Sequence, residues 1–262
     1  MPQLTDKTTD DRYFILTLFA IGKELADNVG ASFVAKRGGK LDIVLLAGLP
    51  PLHCKEFGQR FSNYFKNHGQ TVNFEFNKIN FNIRICDVHI YPQAYAAAIH
   101  AKDTLAGGKT IGIVDIGGYT CDLLLLNDFR PDMNVCTSIY QGVNTLFQQI
   151  NEQVRAKGAK DIPDAIIEGI LRGDKRVLTD CSQDRISLVK TTAKAFAKEL
   201  LLSVSQAGID LAESRTAFIG GGSLLLRKQI ESVGMVSKPI FIEAVTANAA
   251  GYKVLYENRK AS

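Results

Sequence analysis

The segment KTIGIVDIGGYTCDLLLLNDF, residues 109–129, decides the fold of this 262-residue chain. An apolar run from Ile111 to Val114 ends in Asp115, and a second apolar run begins at Leu123 after two adjacent glycines. Two apolar runs of strand length on either side of a glycine turn predict a buried β-hairpin. The acid and the glycine pair at the tip of that hairpin need a chemical explanation.

The hairpin tip, DIGGYT at residues 115–120, admits a functional and a structural interpretation. It is neither a dinucleotide-binding loop nor a P-loop, because both of those lead from a strand into a helix. Glycines leave backbone N–H groups exposed, which makes an anion nest to which Thr120 adds a hydroxyl. An acid such as Asp115 beside phosphates is suited to holding hydrated Mg²⁺. The alternative is an ordinary hairpin in which glycine supplies a positive φ angle.

A second glycine-rich segment, FIGGGS at residues 218–223, predicts a strand, a tight turn and a helix. Three glycines allow a flat ligand to approach the backbone closely, and Ser223 is predicted to cap the helix. The alternative is a strand-to-helix turn without a ligand. Two such loops in one chain form a more specific pattern than either loop alone.

Strands and helices alternate along the rest of the chain, and several strands arrive as hairpins. Helices are predicted at residues 10–28, 55–67, 93–105, 141–157, 161–171 and 185–207, and strands at 42–48, 71–85 (a hairpin turning at 77–78), 87–92 and 133–139. The segment KPIFIEAVTANAAGYKVLYEN predicts a short strand and a last helix. This order predicts an α/β fold with mixed sheets. A change in composition near 103–110 predicts two domains, residues 1–107 and 108–262.

The composition argues against several classes of function. The net charge is only +4 and the basic residues are spread along the chain, so direct binding to nucleic acid is not expected. The longest apolar stretches fall short of the roughly 20 residues that span a bilayer, so no membrane partner is expected. The five cysteines and four histidines have no zinc-ligand spacing. Free cysteines fit the reducing cytoplasm best.

Taken together, the two glycine loops resemble those of the actin, sugar-kinase and heat-shock-chaperone ATPases, which share a ribonuclease H-like fold. In that resemblance DIGGYTCD is the second phosphate loop and IGGGSLL is the adenosine loop. The segments YFILTLFAIGKEL, DIVLLAGLP, VHIYPQAYAAA and ANAAGY are similar to the bacterial plasmid-segregation actins, the ParM/StbA family. The likeness runs in the expected order from Asp10 to Tyr256. It implies an actin-like ATPase fold with two subdomains.

The resemblance also implies the site and its cofactors, ATP (or GTP) and Mg²⁺. Asp115 would orient the magnesium shell, and Gln93 would position the attacking water. The phosphates would be surrounded by Gly117, Gly118, Tyr119 and Thr120, and the nucleoside by Gly220, Gly221, Gly222 and Ser223. Glu168 would face the ribose or adenine. The alternatives are a helix-start residue after Pro92 for Gln93 and a solvated helix face for Glu168.

Family members begin with a first phosphate loop, a hairpin close to G-x-D-x-G, for which no segment of this sequence is a match. The chain is therefore expected to start after about the first fifty to sixty residues of the family pattern. The N-terminal subdomain is expected to be incomplete, with an open edge strand and lower stability. Whether the chain is an ATPase is left open on this ground.

Three functions remain. The leading one is an actin-like protein that forms ATP-dependent filaments for plasmid segregation, with its own subunits and a DNA-bound adaptor protein as partners. The second is a truncated, non-hydrolysing structural or capping partner of such filaments. The third, a small-molecule kinase on the same fold, is less favoured. Such a kinase needs a base for the substrate hydroxyl, and Asp115 and Asp122 are better explained by magnesium and hairpin geometry.

Overall fold

Two β-sheets, one of three strands and one of five, organise the part of the chain that the structure describes. The structure is a computed structural model, and it describes residues 8–9, 11–29, 40–243 and 246–261. Contacts between Cα atoms divide the chain into two units, Met1–Pro92 with Tyr256–Ser262, and Gln93–Leu255. The first unit therefore gives way to the second after Pro92. The domain boundary between residues 107 and 108 remains a prediction from composition.

The first unit contains the three-stranded sheet, in the order β1-β3-β2. Its elements are α1 (Arg12–Glu24) with a π-helical turn (Leu25–Val29), β1 (Lys40–Leu49), α2 (Pro51–Lys66), a 3₁₀ turn (Asn67–Gly69), β2 (Thr71–Phe76) and β3 (Ile79–Pro92). Strand β1 is parallel to β3, and β2 is antiparallel to it. The predicted hairpin turns at Asn77 and Lys78, which both have positive φ angles.

The strand predicted at 87–92 is the second half of β3 and not a separate strand. The register of β1 against β3 shifts between Ile43 and Val44, and Cys86 is the extra residue of the resulting β-bulge. A bulge moves the following side chains to the opposite face of the sheet while the strand continues. The interrupted alternation of apolar residues is the reason why the sequence suggested a break.

The second unit contains the five-stranded sheet, in the order β6-β5-β4-β7-β8. Its elements are α3 (Tyr95–His100), α4 (Lys102–Leu105), β4 (Thr110–Ile116), β5 (Cys121–Asn127), β6 (Arg130–Ile139), α5 (Val143–Ala156), α6 (Asp164–Arg172), α7 (Lys175–Asp180), α8 (Gln183–Gln206), β7 (Arg215–Ile219), α9 (Gly221–Val233), β8 (Pro239–Phe241) and α10 (Ala247–Ala261), of which the last continues into the first unit. Strands β4, β5 and β6 are antiparallel neighbours, whereas β7 and β8 run parallel to β4. The predicted hairpin at 109–129 and the mixed sheet are confirmed.

Two helical segments of the second unit differ from prediction. The helix predicted at 93–105 is divided into α3 and α4, because the backbone of Ala101 leaves the helical region (φ −90°, ψ 17°). The short helix α7 was not predicted. Its cap is Asp174, whose side chain accepts a hydrogen bond from the backbone N–H of Arg176.

Helices cover both faces of the five-stranded sheet. Along β4, Val114 and Ile116 belong to the large core built with α5, α6, α8 and α9. Ile111 and Ile113 belong to a second core that contains the alanines of α3. Because side chains alternate along a strand, Asp115 shares the face of Ile111 and Ile113. The strand pleat therefore directs this carboxylate toward the α3 side of the sheet.

None of the helices within the described ranges is long and apolar enough to cross a membrane.

Candidate functional site

Two carboxylates lie side by side at the end of the central hairpin. Asp115 on β4 is directly opposite Asp122 on β5, and the strand pleat places both on the α3 face. Asp122 is only 7% exposed and accepts a hydrogen bond from the hydroxyl of Ser138 on β6. Each acid is therefore held by a different neighbour, and the two charges repel each other across the hairpin.

The environment of Asp115 opposes its ionisation. Burial is the main cause that raises the pKa of Asp115 from 3.8 to about 6, and the neighbouring charge of Asp122 adds to the rise. A hydrogen bond from Asn248 Nδ2 to Asp115 Oδ2, 3.1 Å long, acts in the opposite direction. A bound cation would remove this penalty, since it favours the ionised carboxylate.

The turn that follows Asp115 is hydrogen-bonded to the start of helix α5. The backbone N–H groups of Val143 and Asn144 donate to the carbonyl oxygens of Gly117 and Gly118, at 3.0 and 2.8 Å. The N–H of Gly117 donates across the turn to the carbonyl of Thr120. The next amides, those of residues 118–120, donate to no protein acceptor in the described part of the chain. They form an accessible run of N–H groups of the kind that binds phosphate.

Gly142 is a structural requirement of this turn that the sequence did not reveal. A Cβ atom at Gly142 would lie 2.4 Å from the carbonyl oxygen of Gly118 and 2.6 Å from the carbonyl carbon of Tyr119. Only glycine allows the start of α5 to approach the turn so closely. The single available signal was a glycine just before a predicted helix, which by itself indicates no contact.

The second glycine loop packs directly against the first. Gly220 has a positive φ of 83°, and a Cβ there would lie 2.5 Å from Asp115 Oδ1. A Cβ at Gly222 would collide with Ile116, whereas one at Gly221 would meet nothing within 4 Å. The two loops predicted from sequence are therefore brought together, with Gly221 on the open side.

The predicted helix cap at Ser223 is wrong. The residue before α9 is Gly220, and no side chain caps this helix. Ser223 lies inside the first turn, fully buried, and its hydroxyl donates to the carbonyl of Gly220 at 2.8 Å. The hydroxyl is satisfied within the loop and stabilises the turn from inside. Its role toward a nucleoside remains a prediction.

Gln93 lies in the turn between β3 and α3, half-buried. The next residue, Ala94, donates its backbone N–H to Asn248 Oδ1 at 2.9 Å. Because Asn248 also contacts Asp115, one side chain connects that acid to the residue that follows Gln93. Asn248 belongs to the segment ANAAGY, in which the sequence indicated a resemblance but no role for this residue.

Glu168 lies on the outer side of α6 rather than in the glycine loops. Its side chain is 44% exposed and forms an ion pair of 3.6 Å with Arg172, one helical turn later. Helix α6 packs against α9, whose start carries the second loop. The contact of Glu168 with ribose or adenine remains a prediction.

The residues present fit a nucleotide with magnesium. The site offers exposed amides for phosphates, the open side of Gly221, and the Asp115 carboxylate, which receives a hydrogen bond from Asn248 but has no cationic partner among the described residues. Beside the turn, Gln141 Oε1 is buried without a hydrogen-bond partner among the described residues. No group of three His, Cys, Asp or Glu suitable for a metal occurs in those residues. A cation here would therefore be held by Asp115 together with water and phosphate oxygens, as is usual for Mg²⁺.

Comparison with known proteins relates this arrangement to the actin homologues. Residues 113–232 match the family described as archaeal actin homologue MreB-like, C-terminal. No curated protein sequence matches the chain significantly.

Three solved structures are similar over most of the chain. A 15-stranded ParM filament from Clostridium botulinum has a TM-score of 0.72 at 14% identity, covering 98% of this chain and 76% of that chain. Bacillus thuringiensis ParM with ATP has a TM-score of 0.67 at 12% identity, covering 100% and 78%. The archaeal actin homolog Ta0583 in complex with ADP has a TM-score of 0.66 at 16% identity, covering 90% and 79%. The predicted fold class and the predicted resemblance to plasmid-segregation actins are confirmed, and at these identities the likeness concerns the fold.

Proposed function

We propose that this chain, which has the actin-like fold, binds ATP or GTP with Mg²⁺ and assembles into nucleotide-dependent filaments that separate plasmid copies. The observation that carries the proposal is the contact between the two glycine loops at Asp115. There Gly220 lies against Asp115 Oδ1, so the acid, the turn at 115–120 and the loop at 218–223 lie next to one another.

Each part of the site has a role in this proposal. The turn of Gly117, Gly118, Tyr119 and Thr120 binds the phosphates through its amides and the Thr120 hydroxyl. Asp115 orients the water shell of Mg²⁺, which supplies charge neutralisation at the phosphates when it is bound. Gly221 provides an open backbone surface for the nucleoside, with Glu168 toward ribose or adenine. Gln93 orients water, because phosphoryl transfer depends mainly on positioning and electrostatics.

Self-association is supported by likeness in fold. The similar structures include filaments of ParM and of Alp12, and a repeated head-to-tail contact between identical subunits produces a filament. The proposed partners are thus further copies of this chain and, in the cytoplasm, a DNA-bound adaptor. The adaptor supplies the DNA contact, since the chain has no concentrated basic region of its own.

Titration calorimetry with ATP and Mg²⁺ tests the nucleotide site. We expect micromolar binding by the wild-type chain, loss of binding in Asp115→Ala, and unchanged binding in Asp184→Ala. Asp184 is a matched control because it is an exposed acid in the first turn of α8, outside the site. A folded wild-type protein that binds neither ATP nor GTP would contradict the proposal.

Sedimentation after addition of ATP, ADP or a non-hydrolysable analogue tests assembly. We expect pelleted filaments with ATP, release of phosphate, and soluble protein when Asp115→Ala is used. Nucleotide binding without assembly or phosphate release would instead favour the structural or capping partner of filaments.

A further inference from the structure

The side-chain amide of Asn248 has hydrogen-bond partners on two different elements. Its Nδ2 donates to Asp115 Oδ2 at the end of β4, over 3.1 Å. Its Oδ1 accepts from the backbone N–H of Ala94, over 2.9 Å. Since a backbone N–H can only donate, the oxygen of the amide has to face Ala94, and the NH₂ group then faces the carboxylate. The orientation of Asn248 is therefore determined by its partners.

The turn that receives this bond is conformationally costly. Ala94 is fully buried and has φ 58° and ψ −53°, a positive φ that residues with a Cβ rarely adopt. Such a conformation is unfavourable for a residue with a Cβ and persists only where the surroundings impose it. The Asn248 oxygen satisfies the amide of Ala94 in this conformation, so it stabilises the turn that presents Gln93.

Helix α10 holds Asn248 in a well-defined place. One turn further along this helix, a Cβ at Gly251 would lie 1.9 Å from the carbonyl oxygen of Ala96 in α3. The backbones of α10 and α3 are therefore in direct contact, which leaves little freedom for Asn248 to move relative to Ala94.

We propose that Asn248 is a positioning residue that keeps the Asp115 carboxylate and the Gln93 turn in one arrangement. The proposal rests on the proposed function of the Asp115 site. The amide occupies Asp115 Oδ2, and the other oxygen, Oδ1, remains on the side of Gly220. Because the planar amide of Asn248 binds both the Asp115 carboxylate and the Ala94 turn, a displacement of the carboxylate also displaces the turn. A displacement of the turn likewise displaces the carboxylate.

Two substitutions of Asn248 distinguish the effects of its two hydrogen bonds. Asn248→Asp keeps an oxygen that accepts from Ala94 but replaces the donor to Asp115 by a further carboxylate, next to Asp115 and Asp122. Asn248→Ala removes both bonds. Asn151 provides the matched control, because its amide also uses both ends, donating to the carbonyl of Ile162 and accepting from its N–H, away from the glycine loops. Asn151→Ala should lower stability without changing the nucleotide site.

The first measurement is hydrogen exchange of the Ala94 amide by NMR in the nucleotide-free protein. We expect exchange about tenfold faster or more in Asn248→Ala, and wild-type exchange in Asn248→Asp and Asn151→Ala. Equal exchange in the wild type and Asn248→Ala would overturn the link to the turn.

The second measurement is the ratio of ATP dissociation constants in EDTA and in Mg²⁺. We expect this ratio to fall about tenfold or more in both Asn248 variants, as for other residues that orient a metal-binding group, and to stay at the wild-type value in Asn151→Ala. Unchanged ratios in folded Asn248 variants would overturn the positioning of Asp115. If the wild type binds no nucleotide, the proposed function fails, and the exchange of Ala94 alone then decides whether the link exists.

Discussion

At the scale of single residues, Asp115 combines a cost in stability with a proposed role in nucleotide binding. It lies on an apolar face of the sheet beside a second carboxylate, Asp122, and one amide compensates it. Groups with a pKa shifted in this way are concentrated at functional sites. Among the described residues no cationic side chain contributes to the pKa shift of Asp115, and a cation bound with a nucleotide would supply a positive charge.

The stability of the protein should therefore depend on pH through Asp115. Between pH 4 and 6 the folded state keeps a proton on Asp115 that the unfolded chain has released, so stability falls as pH rises through this range. A rise in pKa from 3.8 to about 6 corresponds to a loss of about 3 kcal/mol above pH 6. The Asp115→Asn variant should therefore be more stable than the wild type by up to that amount at pH 7.5, and equally stable near pH 4.

Urea unfolding at both pH values measures this difference, with the exposed Asp184→Asn as the control. A gain of equal size at pH 4 and pH 7.5 would show that the pKa of Asp115 is not its cause.

The adjacent glycines Gly220 and Gly221, in the loop at residues 218–223, should differ in how far substitution by alanine lowers the stability of the fold. Gly220→Ala places a Cβ against Asp115 Oδ1 at a positive φ, and it should destabilise the fold by roughly 2–4 kcal/mol. Gly221→Ala meets open space and should change stability by less than about 0.5 kcal/mol. Because Gly221 borders the proposed nucleoside site, its substitution should still weaken ATP binding. Thermal unfolding and calorimetry test both effects, and full ATP affinity in Gly221→Ala would remove this loop from the nucleoside site.

At the scale of elements, the alanine-rich helix α3 is explained by its partner. Ala96, Ala97 and Ala98 are fully buried, and Gly251 of α10 touches the backbone of Ala96. Small residues on both helices allow the two backbones to approach more closely than larger side chains would permit. The composition of α3 indicated a helix, but the reason for its alanines is this contact.

Gly251→Ala tests the contact. The new Cβ would lie 1.9 Å from the carbonyl oxygen of Ala96, so the two helices have to separate, at a cost of roughly 2–4 kcal/mol. The movement also displaces Asn248, and ATP binding should weaken with stability. Chemical denaturation, with Gly221→Ala as a helical glycine in open space, measures the cost. Wild-type stability in Gly251→Ala would contradict direct contact of the backbones.

At the scale of the whole molecule, the two units differ in how their sheets are protected. Among the strands that the structure describes, β1 and β2 are the edges of the three-stranded sheet, and residues along β2 alternate between exposed and partly buried. In the five-stranded sheet, β4 is central, and apolar cores cover both of its faces. Two of three described strands are edges in the first sheet and two of five in the second, and this larger share of edges is the physical reason for predicting a less stable N-terminal part.

Hydrogen exchange followed by mass spectrometry tests this difference. We expect the amides of β4 and β5 to exchange slowest and those of β2 to exchange at least about a hundredfold faster, because sheet edges open locally at lower free energy. Equal protection of β2 and β4 would show that the chain unfolds as one cooperative unit.

The sequence by itself determined the local features of this protein. Apolar runs and glycines predicted the hairpin at 109–129 and the strand-turn-helix at 218–223, because strand periodicity and turn chemistry depend on neighbouring residues. The same segments indicated the actin-like fold and Asp115 as the acid of the site. The wrong cap at Ser223 and the break assumed before residue 87 arose where a glycine turn and a bulge altered that local pattern.

Only the tertiary structure decided which distant residues complete the site. Asn248 lies 133 positions from Asp115 in the sequence, and Gly142 contacts the turn at residues 117–120 only because α5 begins against it. The shared face of Asp115 and Asp122 follows from strand register. These relations depend on the packing of α3, α5 and α10 on the sheet, and short-range sequence patterns contain no information about such distances.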